Sequence, residues 1–145
     1  MVRRSILQDP RFRFRDDIDR YVPEQHVWHA IALHYQTLFI NDPLRVYFIN
    51  QTSHESLSSM HKIRYVKGQR FAAMLCLNDF FWRVWPDKRT VLITLLMYLR
   101  LSIHARLGFW STVRDVRPAF QRVLVALAYP VGMAIAWNDR RKGRI

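Results

Sequence analysis

The spacing of apolar residues divides the chain into helical stretches of increasing hydrophobicity. From Pro23 onward, Val27, Trp28, Ile31, Tyr35, Leu38 and Phe39 recur at steps of three and four, the pattern of one face of an amphipathic helix. Val22-Pro23-Glu24 marks its start, with Pro at the first helical position and an acid in the first turn. Asn41-Asp42-Pro43 marks its end, and Asp42 can cap a short helix that follows. Thr52 and Glu55 have capping-box spacing ahead of a helix to about Lys67, which Gly68 interrupts. Gln69 to Trp85 is strongly apolar and ends in Phe80, Phe81, Trp82 and Trp85. After the Pro86-Asp87 turn, Asp87 is placed to cap a helix from Lys88 to about Leu107, with Gly108 as its C-terminal cap. Thr112 and Asp115 repeat the capping-box spacing, and Pro118 can open a final helix. Strand-period runs are few and no internal repeat appears, so the expected fold is all-α.

The final helix dominates the pattern. Val123 to Asn138 reads VLVALAYPVGMAIAWN, sixteen residues without a formal charge. With residues 119–122 it reaches about 30 Å, the thickness of a bilayer's hydrocarbon core. Arg122 can snorkel at one end, and Trp137 suits the interface at the other. Pro130 and Gly132 lie inside the run; both are better tolerated in membrane spans than in water-soluble helices. Ala128, Gly132 and Ala136, four apart, form a small-residue stripe that lets another helix approach closely. The alternative is a buried central helix of a soluble bundle. The expected organisation is a basic, aromatic arm over 1–22 and a helical domain over 23–117. A transmembrane helix over 118–138 and a basic tail over 139–145 complete it. Helix 88–107 has too few uncharged residues between Arg89 and Arg100 to cross alone. It could lie in the interface, enter partway, or be a core helix.

Charge sharpens this picture. The net charge is +12, and the pI near 10.8 implies an anionic partner. Residues 1–87 hold 12 Lys/Arg and 9 Asp/Glu, an excess of +3; residues 88–145 hold 11 Lys/Arg against Asp115 and Asp139, an excess of +9. The excess therefore brackets the apolar run, as anionic headgroups on both leaflets would favour. Arg114, Arg117 and Arg122 are the headgroup candidates, because guanidinium forks suit phosphate. Arg11-Phe12-Arg13-Phe14-Arg15 alternates with period two and would serve as an extended arm on a partner or on RNA, or as a tail packed on the domain.

Signals for chemistry are sparse. The four glycines, Gly68, Gly108, Gly132 and Gly143, are not clustered as phosphate loops require, and no nucleophile elbow occurs. Cys76 is the single cysteine and is expected to be a buried, inert thiol. His26 and His29 share a helix face, a spacing that can bind metal, but His34 does not converge on them; polar-face histidines are expected, and no metal site. His104 beside Arg100 would be a proton-path candidate only within a membrane, and is otherwise structural. Asn50-Gln51-Thr52 matches a glycosylation sequon without an accompanying secretory signal. No catalytic residues and no cofactor are expected.

A helical domain, one C-terminal span and the tail Trp137-Asn138-Asp139-Arg140-Arg141-Lys142-Gly143-Arg144-Ile145 resemble subunit f of the mitochondrial ATP synthase membrane sector. The Arg- and Trp-rich character is similar to the divergent mitochondrial subunits of trypanosomes and euglenids. The resemblance implies a non-catalytic subunit of the mitochondrial inner membrane. Its place would be beside the proton-channel subunit, among other membrane subunits, with a role in assembly and dimer geometry. It also implies cardiolipin or another anionic phospholipid nearby. Two alternatives remain open at this level. One is an RNA-binding mitochondrial ribosomal protein, which explains the charge directly. The other is an accessory subunit of a respiratory complex.

Overall fold

The structure is a computed structural model that describes residues 4–12, 15, 17–19, 22–36 and 65–143. The expected helix end at Asn41-Asp42-Pro43, the capping box at Thr52 and Glu55, the sequon, and Arg13 and Phe14 of the Arg11 to Arg15 alternation lie outside the described residues. The described residues are all-helical, with no strand among them. In chain order they form α1 (Arg4–Leu7), a 3₁₀ turn (Pro10–Phe12), α2 (Gln25–His34) and α3 (Val66–Leu75). A π-helical turn (Cys76–Phe80), α4 (Phe81–Val84), α5 (Lys88–His104), α6 (Phe109–Arg114) and α7 (Ala119–Arg141) follow.

α5 is the hub. Its Leu95, Tyr98 and Leu99 are buried with Leu77 and Phe81 on one side and with Val116 and Val125 on the other. α3 runs antiparallel to it: Arg70 meets Tyr98 and Ser102, whereas Cys76, half-buried rather than buried, lies further along beside Thr94. α7 runs parallel to α5. Phe120 at its start packs on Phe81 and Trp85, Gly132 lies on Leu99, and Asp139 near its end pairs with Arg100 and His104. α6 carries the chain back between them. Helix 88–107, left open by the sequence, is thus a core helix packed on both sides. Phe12, Val27 and Ile31 make a separate small cluster under α2.

Several local expectations are corrected. α2 ends at His34, because Tyr35 turns extended (φ −129°, ψ 147°) and lays its ring edge-on to Phe12. Gly68 does not interrupt a helix; it lies in the first turn of α3. Its N–H, which has no acceptor within the helix, donates to Asp19 Oδ2 at 3.1 Å. The apolar run 69–85 is broken by the π turn. That wider turn presents Asn78 and Asp79 to the link before α7, a common use of such turns. Asn78 Nδ2 donates to the Asp115 carbonyl at 3.3 Å, while Asn78 Oδ1 accepts from the Arg117 N–H at 2.8 Å.

Asp87 caps α5 as the sequence indicates, accepting from the Arg89 and Thr90 N–H groups. The other end differs. Arg106, not Gly108, takes the left-handed conformation (φ 58°). The Arg106 and Leu107 N–H groups donate back to Ile103 and Ser102, closing a Schellman motif. Gly108 instead precedes α6 in an extended conformation. Thr112 lies within α6, with its hydroxyl bonded to the Gly108 carbonyl, and Asp115 pairs with Arg70, so the two form no capping box. Pro118 is extended and stands one position before α7, whose helix begins at Ala119.

Candidate functional site

α7 has two unlike faces. Gln121, Val125, Gly132, Ala136 and Asp139 are buried, and Ala128 packs against the same core. On the opposite side Phe120, Val123, Leu127, Val131, Met133 and Trp137 are exposed, Leu127 to 74% and Trp137 to 62%. The helix has 23 residues, about 34 Å at about 1.5 Å per residue. It is the one helix among the described residues long and apolar enough to cross a membrane, and only 22% of its apolar window is buried. A core helix of a soluble bundle would be covered on all sides; this one leaves a continuous apolar stripe open, larger in extent than scattered surface residues.

The small-residue stripe Ala128, Gly132 and Ala136 faces α5 of the same chain. A Cβ built on Gly132 would stand 2.7 Å from the Leu99 Cβ, so only glycine permits this approach. The outward residues are bulky instead.

Each end of the stripe carries aromatic and basic groups. At the start, Trp82 stacks on Phe120 with centroids 5.9 Å apart and planes 16° apart. Trp85 packs on the same ring at 5.7 Å, and the Lys88 ammonium lies 3.4 Å above Trp85. Trp82 and Trp85 were not connected with this end by sequence spacing, since they precede α7 by more than thirty residues. Of the headgroup candidates, Arg117 pairs with Asp79 at 2.7 Å and Arg122 donates to the Val116 carbonyl at 2.6 Å. Arg114 is exposed, without an ion pair among the described residues. All three flank the start of α7. At the far end the Arg141 guanidinium lies 4.5 Å over Trp137.

A buried ionic cluster locks that far end to α5. Asp139 is 3% exposed. It accepts from Arg100 Nε, and its Oδ2 lies 3.1 Å from His104 Nε2. Arg100 and His104, one helical turn apart, thus meet one carboxylate from α7. By sequence alone Asp139 belongs to the basic tail over 139–145. The signal that could have found it is spacing: Asp139 continues the inward stripe of Gly132 and Ala136 at the next helical step. A second cluster, Arg70 with Asp115, Ser102 and Tyr98, whose hydroxyl donates to the Thr112 carbonyl at 2.8 Å, fixes α6.

The three N-terminal histidines go separate ways. His26 Nδ1 lies 2.6 Å from the Pro23 carbonyl oxygen, His29 packs on Phe80, and His34 on Phe12. No group of three His, Cys, Asp or Glu side chains among the described residues could hold a metal ion. Comparison with protein-family models, curated proteins and solved structures gives no match.

Proposed function

We propose that this chain is a non-catalytic subunit of a membrane-protein complex, in which the outer face of α7 meets lipid. The observation that carries the reading is the open apolar stripe on a helix of spanning length, bounded at both ends by tryptophans and basic groups. Phe120 and Trp137 are 17 positions apart, about 25 Å along the helix, close to the separation of the two interfacial aromatic belts. Small residues are spent on α5 and bulky ones point out, which suits acyl chains better than a second close-packed helix. α5, which packs along α7, shares its depth in this reading. The finer assignment rests on the layout resemblance stated above. It is a mitochondrial inner-membrane subunit similar to subunit f of the ATP synthase membrane sector, supporting assembly, proton-channel packing and dimer geometry.

Carbonate extraction tests this. The intact protein stays with the membrane pellet. The double variant Leu127→Arg, Val131→Arg alters only exposed positions, so it leaves the fold intact in water. In a bilayer each arginine costs about 3 kcal/mol near the helix centre, and the variant is recovered in the supernatant. Release of the wild type by carbonate, or by high salt alone, overturns the reading in favour of counterion-driven RNA binding.

A further inference from the structure

We propose that a groove between α5 and the last turns of α7 is a binding site for one anionic phospholipid, a deepening that rests on the membrane reading above. The groove has a volume of about 450 Å³ and is lined by Ile103, Pro130, Met133, Ala134, Ala136 and Trp137, with Arg140 toward the helix end. Its lining is apolar except at that end. Pro130 and Arg140 are ten positions apart, about 15 Å along the helix, or half of the roughly 30 Å hydrocarbon core. The groove is therefore one leaflet deep, the length over which a single acyl chain runs inward from its headgroup. A helical partner would need a longer face than these roughly three turns offer.

Charge decides the headgroup. The Arg140 side chain makes no ion pair among the described residues, and Arg141 is held over the Trp137 ring at the same level. The neighbouring carboxylate, Asp139, is buried and paired with Arg100. Among the described residues no unpaired carboxylate flanks Arg140 to repel a phosphate, and a guanidinium fork binds one in bidentate fashion. Trp137 forms the wall where chain meets headgroup, the depth an indole prefers. The structure thus assigns an acyl chain to Ile103, Met133 and Ala134 and a phosphodiester with net negative charge to Arg140.

The test uses the full-length protein in nanodiscs of phosphatidylcholine carrying a minor fraction of chain-brominated lipid. The readout is the share of tryptophan quenching that disappears in Trp137→Phe. Brominated phosphatidylglycerol is expected to be enriched at Trp137 about fivefold over brominated phosphatidylcholine, the effect of one basic side chain near a membrane surface. Arg140→Gln should bring the two lipids to parity, and Ala134→Phe, which fills the groove from an exposed position, should lower quenching by both. Equal quenching by both lipids in the wild type overturns the proposal and leaves the membrane reading intact. So does an enrichment that neither variant changes. Absence of quenching by either lipid overturns both.

Discussion

The two faces of α7 teach different things about the same 23 residues. The inner face is small, close and ionic at its end: Gly132 against Leu99, Ala136 buried, Asp139 between Arg100 and His104. The outer face is bulky and open, from Phe120 through Leu127 to Trp137. The inner face also carries polar Gln121 and Asp139, whereas the outer residues named are apolar. Side-chain volume differs as well, and volume decides what can lie against each face. A helix backbone can approach only where side chains are absent, whereas fluid acyl chains accept any apolar relief. The first face therefore belongs to this fold and the second to its surroundings.

The sharpest way to break the inner face is to remove its buried carboxylate. Asp139→Ala should destabilise by about 3 kcal/mol, the low end for a broken buried pair because Arg100 keeps some exposure. The unfolding midpoint in mild detergent measures this. Gly132→Leu forces side-chain atoms into Leu99; overpacking less the gain in helix propensity leaves a loss of about 2 kcal/mol. Leu127→Ala on the outer face should change stability by less than about 0.5 kcal/mol. Equal effects of these two substitutions would erase the distinction between the faces.

A smaller effect lies away from α7. The Thr90 hydroxyl, followed by the Thr90 and Arg89 N–H groups, holds the Asp87 carboxylate below its usual range. A carboxylate with a lowered folded pKa stabilises above its ordinary pKa and loses that contribution as pH falls through the folded value. The acid side of the stability profile should therefore flatten in Asp87→Asn, with little change near neutrality beyond loss of the cap. Thermal unfolding across that pH range checks it.

Much of the architecture could be read from local pattern. The all-helical class, the Asp87 cap and the presence of a long apolar last helix follow from periodicity and capping residues within a few positions of one another, although that helix runs three residues past the expected end at 138. What escaped reading depends on partners far apart in sequence. Asp139 meets residues 35 and 39 positions earlier, and Asp19 caps a turn 49 positions later. The first depends on α5 and α7 running parallel and the second on where the N-terminal segment meets α3, and no periodicity encodes either. Gly68 and Gly108 stand where glycine usually ends a helix; the left-handed cap falls instead to Arg106, where the chain reverses to lay α6 against α7. The inward stripe of Ala128, Gly132 and Ala136 was visible as a spacing, but its partner, a helix of the same chain, was not.

The central claim concerns what touches Leu127. A spin label attached at Leu127→Cys in a Cys76→Ser background, within native membranes, reports collisions with dissolved oxygen and with a water-soluble nickel chelate. Lipid contact predicts frequent oxygen collisions and few with the chelate. Dominant chelate collisions would place that face in water, and protection from both would place it under a protein partner; either result contradicts the account.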